Sequence, residues 1–368
     1  MKKLAFGLMR LPLLDKSDDK TIDFEQLKLM VDTFIEEGFT YFDTAYFYHN
    51  GVSEIYAKKA LASRYPRDKY LLADKLPVYS LKKVGDQERI FKEQLDKCGV
   101  EYFDFYLLHA LNKDHFETAK KFKSYEFLKG LKKEGKIKHL CFSFHDTPEV
   151  LEEILKEFPE MEYVQLQINY IDWESKDVQA RRCYEIARKY NKKILIMEPV
   201  KGGYLVNIPP KASELLLNYN SSLSIPSYAI RYAASLEGVE MVLSGMSNIE
   251  QLKDNISYMK DFIPLNKKEK ELIEKVVKIM NETKLIGCTN CRYCMEECPQ
   301  KIEIPRLFEI YNEYKKYGAI EKSKERYLSH IKIHPSVDAC LKCGFCEYIC
   351  PQKLPIRDLL EEIKKGFI

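Results

Sequence analysis

Phe103-Asp104-Phe105-Tyr106-Leu107-Leu108-His109-Ala110 is an almost unbroken apolar and aromatic run, with one acid near its start and an imidazole near its end. A strand with one wet face alternates apolar and polar residues, so so continuous a run reads as a strand buried on both faces. Seven further runs share this character: Leu4–Leu8, Tyr41–Ala45, Tyr70–Lys75, His139–His145, Tyr163–Asn169, Lys193–Pro199 and Glu240–Gly245. Amphipathic stretches long enough to be helices separate them. Eight such strands with helical crossovers in about 260 residues predict an α/β fold, a (β/α)8 TIM barrel, with a doubly wound parallel sheet as the structural competitor.

Helix starts are legible between the runs. Ser53-Glu54 is expected to open one helix, Ser247 with Glu250 to form a capping box, and Asn266 with Glu269 to form another. The last leads a stripe of Leu272, Ile273, Val276, Val277 and Met280, predicting a packed helix that closes the first domain near Thr283. The expected organisation is a barrel over 1–284 and a second domain over 285–368. The charge run Lys132 to Lys138 reads as a solvated helix end.

Composition narrows the function classes. The chain has 368 residues, with Lys+Arg of 59 against Asp+Glu of 56 and a formal net charge of +3, so no basic field argues for nucleic acid. Apolar runs are short and charge-broken, and the start Met1-Lys2-Lys3-Leu4 lacks an export segment. No membrane association and a cytoplasmic location are the expectations. There, eleven cysteines argue for metal binding over disulfides.

Their distribution is uneven. Cys98, Cys141 and Cys183 are scattered, whereas the other eight fall between Cys288 and Cys350. Cys288, Cys291, Cys294 and Cys298 form C-x2-C-x2-C-x3-C followed by Pro299; Cys340, Cys343, Cys346 and Cys350 repeat it before Pro351. Zinc usually takes two separated cysteine pairs, whereas this spacing, occurring twice, is that of iron–sulfur ligation and predicts two [4Fe–4S] clusters. The pattern resembles two-cluster ferredoxins. That resemblance implies one cluster on Cys288, Cys291, Cys294 and Cys350 and the other on Cys340, Cys343, Cys346 and Cys298. Between Cys298 and Cys340 lie 41 residues that read as helical from Pro305 to Ile331, so the domain looks like a small, largely α-helical ferredoxin-like one.

Asp43, Tyr48, Lys75 and His109 fall at or just beyond the C-terminal ends of three consecutive predicted strands, ends that converge on one mouth in a barrel. Each has a bland reading alone, as a cap, one tyrosine among 25, a surface lysine or a core histidine. Together, in Tyr41-Phe42-Asp43-Thr44-Ala45-Tyr46-Phe47-Tyr48, Asp74-Lys75 and Leu107-Leu108-His109, they form a constellation. With Phe6-Gly7-Leu8-Met9-Arg10-Leu11-Pro12 and Gly51-Val52-Ser53-Glu54, the stretch over about 1–265 resembles the aldo-keto reductase family, whose catalytic tetrad lands on these four residues.

The resemblance implies NAD(P)H-dependent interconversion of a carbonyl and an alcohol by hydride transfer, with a small-molecule substrate and Tyr48 as general acid/base. Delivering hydride to a carbonyl builds an alkoxide that needs a proton. Lys75 is expected to lower the pKa of the Tyr48 phenol, Asp43 to hold Lys75, and His109 to orient the carbonyl oxygen. For the dinucleotide, NADPH or NADH, the resemblance offers Ser143 and Gln165 at the nicotinamide carboxamide. Gly202 and Gly203 are offered for the pyrophosphate, and Gly245, Ser247, Gln251 and Asn255 for the adenosine end. Gln251 stands where many NADPH-selective members have arginine. Phe144-His145 replaces the usual asparagine after Ser143, and no stacking aromatic follows the seventh strand.

Hydride carries two electrons and a [4Fe–4S] cluster one, so coupling the halves requires a flavin or a redox partner protein between them, and no motif indicates a flavin. The clusters read either as an electron relay or as a structural or sensing module. The competing function is an iron–sulfur electron-transfer or regulatory protein whose barrel binds dinucleotide or flavin without carbonyl turnover. Tyr46, Phe47, Trp173 and Tyr204 follow predicted strand ends and are candidate pocket residues.

Overall fold

A computed structural model describes residues 2–15 and 18–367. Eight parallel strands close into a barrel in chain order: β1 (Leu4–Gly7), β2 (Tyr41–Asp43), β3 (Leu71–Leu76), β4 (Phe103–Leu111), β5 (Ile137–Phe144), β6 (Tyr163–Gln167), β7 (Lys193–Met197) and β8 (Val239–Ser244). The doubly wound alternative is thereby set aside, because β1 pairs both β2 and β8 and leaves no sheet edge.

Side-chain alternation along a strand sorts the barrel wall into two faces. Ala5, Tyr41, Ala73, Phe105, Leu107, Cys141, Tyr163, Leu195, Met241 and Leu243 pack into one buried cluster. Asp43 lies two residues beyond Tyr41, Lys75 two beyond Ala73, His109 two beyond Leu107, Ser143 two beyond Cys141 and Gln165 two beyond Tyr163. A period of two therefore gives these five polar residues the same face as the apolar cluster, one step nearer the C-terminal strand ends. Cys141 itself is a core residue.

One helix start matches the sequence reading without a side-chain cap, and another differs from it. Ser53 is the first residue of the helix Ser53–Ala57 and caps nothing; its hydroxyl bonds Thr44 Oγ1 at 2.8 Å and Leu8 O at 3.3 Å. In the helix Ile249–Met259, Asn248 is the cap, accepting from Gln251 N, whereas the Ser247 amide donates to Gln251 Oε1. One residue decides the difference, because Asn248 has the extended backbone a cap requires. The Asn266/Glu269 box forms as expected at the helix Lys267–Thr283.

By packing, the chain divides into two compact units: Met1–Ser175, Gln179–Pro199 and Ile230–Leu265, and Lys176–Val178, Val200–Ala229 and Asn266–Ile368. The second unit thus takes in the helix Lys267–Thr283 and the segment after β7, which the sequence reading assigns to the barrel. It holds its own core, in which Ile302, Leu307, Phe308, Ile310, Tyr327 and Ile363 are buried. Its central helices are Ile304–Tyr317 and Ile320–His330, broken at Gly318, which adopts φ 66°.

Candidate functional sites

In the barrel unit, Lys75 is 1% exposed and its ammonium donates to Asp43 Oδ1 at 2.5 Å and to Thr44 O at 2.7 Å. It lies over the Tyr48 ring, 4.8 Å from the centroid. His109 meets the same ring edge-on, with centroids 6.0 Å apart. The four residues expected from the sequence therefore come together around one phenol.

Local structure explains each placement. Tyr48 opens a 3-10 turn, Tyr48–Gly51, in which His49 accepts from Leu11 N at 3.1 Å through Nε2 and bonds Asp19 O at 2.8 Å through Nδ1. That histidine is structural. His109 sits where the β4–β5 register shifts between Leu108 and Leu111, and the next residue, Ala110, has φ 54°. A left-handed alanine is strained and persists only where surroundings hold it; here its amide donates to Ser143 Oγ at 2.7 Å. Ser143 thereby holds the bend that aims His109, while its own hydroxyl hydrogen remains a donor.

The wall behind the site pins Lys75 by its backbone. Asp74 Oδ1 accepts from Lys75 N at 2.8 Å, Gln94 Nε2 donates to Lys75 O at 3.0 Å, and Tyr106 donates to Gln94 Oε1 at 2.6 Å. Sequence reading passed over Gln94, because a buried glutamine in a helix has no pattern of its own.

Electrostatics corrects one expectation. The Tyr48 phenol is pushed well above its ordinary value, by burial first and then by the negative charges of Asp43 and other nearby groups. The lysine does not prevail, because its charge is matched by Asp43 and its hydrogens serve Asp43 and Thr44 while it faces the ring. Tyr48 is therefore a protonated phenol across the neutral range. Burial pushes Asp43 up, with Lys75 opposing. Burial, and then Lys75, push His109 well below its usual range, so its ring is neutral, and His109 Nδ1 is buried without a hydrogen-bond partner. An orphaned ring nitrogen beside a phenol suits a polar ligand atom.

Asp74 faces outward against Glu54, and both are fully buried. Burial, and then the Glu54 charge, push Asp74 well above the carboxylate range. A raised folded-state pKa stabilises the fold at low pH and loses that contribution as pH rises through it. Asp74→Asn, which keeps the acceptor for Lys75 N, should gain thermal stability relative to the parent between about pH 6 and about pH 9, the melting gap widening by at least about 3 °C. A pH-independent gap in thermal melts would show that Asp74 is ionised.

Beyond the tetrad, Phe47 and Tyr79 are exposed aromatics with centroids 6.0 Å apart, and Tyr79 lies 5.8 Å from His109. Tyr79, absent from the sequence candidates, belongs to a short 3-10 turn after β3. Tyr46 donates to Glu93 at 2.6 Å, and Trp173 packs on Tyr184 and Tyr232. At the end of β8, Asn255 is turned inward, donating to Ser244 Oγ at 2.7 Å and accepting from Tyr258 at 2.5 Å. Arg10 lies here too: its Cδ would stand 3.0 Å from a Cβ on Gly245, and its carbonyl accepts from Ser247 Oγ at 3.1 Å. A guanidinium-bearing residue thus neighbours a helix N-terminus, a pairing that suits phosphate; the 237-residue separation hides it from sequence.

In the second unit, Tyr204 reaches Leu285 O at 3.5 Å, and Gly202 has φ 62° with a Cβ position only 2.1 Å from Thr289 O. The missing side chain at Gly202 admits the backbone next to Cys288. Lys201 is buried, packs across Gly287 and donates to Gln352 Oε1 at 2.6 Å. All eleven cysteines are unbridged. Cys298, Cys340, Cys343 and Cys346 line one cavity. Cys294, in turn, is pushed up by burial and then by Cys291, Cys288 and Cys350. Cys346 is likewise pushed up to about 11 by burial, then by Glu347 and Cys340. Sulfurs that discourage one another's ionisation suit iron, which takes them as thiolates and cancels the repulsion.

Among the described residues, no helix is long and apolar enough to cross a membrane. The chain spans 8% and 22% of the lengths of two curated relatives it matches. They are subunit alpha 1 of the acetyl-CoA decarbonylase/synthase complex of Methanosarcina acetivorans, 26% identical over 21% of this chain, and the probable glycolate oxidase iron-sulfur subunit of Bacillus subtilis, 28% identical over 27%. Among solved structures it resembles an aldo-keto reductase from Bacillus halodurans, with a TM-score of 0.56, 24% identity and coverage of 74% of this chain and 91% of that one. It also resembles an aldo/keto reductase from Klebsiella pneumoniae in complex with NADP and acetate, with a TM-score of 0.59, 18% identity and coverage of 75% and 91%. A 4Fe-4S dicluster domain profile matches residues 287–354, and the aldo/keto reductase family profile matches residues 3–278. An eight-stranded parallel barrel followed along the sequence by a helical iron–sulfur domain, this chain is an oxidoreductase that belongs to the aldo/keto reductase family.

Proposed function

We propose that the chain reduces a small aldehyde or ketone at the expense of NADPH, and runs the reverse alcohol oxidation, with residues 1–284 as catalytic domain and 285–368 as cluster domain. The observation that carries this reading is the Asp43–Lys75 pair at 2.5 Å beneath the Tyr48 ring, with His109 edge-on to it. A bound nicotinamide dinucleotide supplies hydride. Tyr48, protonated across the neutral range, gives its phenolic proton to the forming alkoxide. Neutral His109 donates from one ring nitrogen to the carbonyl oxygen and fixes its pose. Lys75, held by Asp43, keeps a positive charge under the ring as phenolate character develops.

Ser143 and Gln165 are the proposed carboxamide partners. At the adenosine end we assign the 2′-phosphate to the N-terminus of Ile249–Met259 with Ser247 and Gln251, and to Arg10 as the cation that Gln251 does not provide. The NADP in the Klebsiella pneumoniae neighbour supports a phosphorylated dinucleotide as the cofactor. Arg10→Ala should raise KM for NADPH about tenfold, the value of one charge-assisted hydrogen bond, and leave KM for NADH unchanged. Equal change with both dinucleotides would dismiss Arg10 as the phosphate cation.

The cluster domain is proposed to hold two cross-ligated [4Fe–4S] clusters, Cys288/Cys291/Cys294/Cys350 and Cys340/Cys343/Cys346/Cys298. Bound there, the clusters would supply one-electron chemistry. The test of the catalytic reading is anaerobic NADPH oxidation by the iron-loaded chain with a generic aldehyde and no artificial acceptor. Aldehyde-dependent turnover supports it; oxidation seen only with a one-electron acceptor refutes it.

A further inference from the structure

Glu303, His330 and His334 lie in the stretch between the two cysteine runs, and neither the catalytic site nor the cysteines use them. Each offers a ligand atom within 4.8 Å of the other two. His330 ends the helix Ile320–His330, and His334 continues its path for one more turn, its amide donating to His330 O at 3.1 Å. A step of four residues on such a turn puts both rings on one side. They stack with centroids 4.6 Å apart and 16° between planes. Glu303, the N-cap residue of the helix Ile304–Tyr317, directs its carboxylate at both.

The separations distinguish a metal site from hydrogen bonding. His330 Nε2 stands 3.7 Å from Glu303 Oε2, and His334 Nδ1 stands 3.5 Å from Glu303 Oε1. Both exceed the roughly 2.7–3.2 Å of an N–H···O bond. Both approach the about 3.3–3.5 Å between neighbouring ligands of a tetrahedral ion whose bonds are about 2.0–2.2 Å. Independently, His330, whose side chain is only 8% exposed, keeps Nε2 buried with no hydrogen-bond partner. Arg306, whose charge also reaches His330, is paired with Glu309 at 2.7 Å.

We propose that Glu303, His330 and His334 bind a divalent ion of the zinc class, as a mononuclear centre distinct from the cysteine clusters. Two imidazole nitrogens and a carboxylate oxygen are a donor set for such ions, with the fourth position open to water. The ion ties the start of one helix to the end of the next and so fixes the helical insert that spaces the two cysteine runs.

The test uses the full chain, reconstituted anaerobically with its iron content measured. It is dialysed against about micromolar zinc chloride, with affinity set by a competing chelator, and then examined by metal analysis and zinc-edge X-ray absorption. The expected result is about one zinc per chain with unchanged iron, a shell of nitrogen and oxygen with imidazole scattering, and an affinity lowered at least about tenfold in Glu303→Gln and in His334→Ala. Zinc not retained by the parent chain, retained with sulfur in its shell, or retained equally by both variants would overturn the proposal. The absorption spectrum of the parent chain decides it even where a variant fails to fold.

Discussion

Tyr48→Phe is expected to lower kcat for aldehyde reduction by about 10²–10⁴-fold, while the Kd for NADPH changes less than about twofold. Removing one oxygen deletes the proton donor and little else, because the ring keeps its contacts with Lys75 and His109. The pH dependence follows from the direction of the Tyr48 shift. Burial holds the phenol protonated well past its ordinary value, so reduction by the parent enzyme should stay level through neutral pH and fall only as pH rises through the elevated pKa. In Tyr48→Phe that alkaline limb should vanish with the activity. Steady-state rates across pH, with dinucleotide binding measured separately by fluorescence, check both statements. Retained turnover, or an alkaline limb that survives the substitution, would remove Tyr48 from the chemistry.

Losing a cluster is the second large effect, and its pattern tests the cross-ligation. Cys350→Ser and Cys298→Ser should each lower iron from about eight to about four per chain, since each removes one ligand from one [4Fe–4S] cube. Doubles separate the pairings: Cys288→Ser with Cys350→Ser should lose no more iron than either single, whereas Cys288→Ser with Cys298→Ser should lose nearly all of it. The reverse outcome, complete loss in the first double and half in the second, would mean that each run holds its own cluster. The helical core buries Leu307, Phe308, Ile310 and Ile363 beside Cys294 and Cys346, whereas Cys298 and Cys350 pack only at its edge. Far-UV circular dichroism should therefore remain close to that of the parent while the cluster absorbance falls, and a collapse of helix in the single variants would show that the clusters, not this core, hold the unit.

The eight-strand count was legible because burial on both faces demands continuous apolar composition, and each expected strand lies within about two residues of its observed ends. Asp43, Lys75 and His109 were legible because they fall at the ends of apolar runs, and a barrel gathers those ends at one mouth. The cysteine runs were legible because their ligation is encoded in spacing. Less visible was the choice between Ser247 and Asn248 as cap, which turns on backbone angles that both residues tolerate. Arg10, Gln94 and Tyr79 carry no periodic or spacing signal, and their neighbours are brought in by other strands and loops.

The electrostatic state of Tyr48 marks the same division most clearly. Sequence alone determined which residues stand at the strand ends, since that follows from where each apolar run stops and from the repeat of strand and helix along the chain. Only the tertiary structure decided that Lys75 spends its charge on Asp43 and leaves the phenol protonated, that Ser143 holds the bend beside His109, and that Glu303 meets two histidines. Each of these depends on distances of a few ångströms between residues far apart in the chain, and charge and hydrogen bonding respond to those distances and not to sequence order.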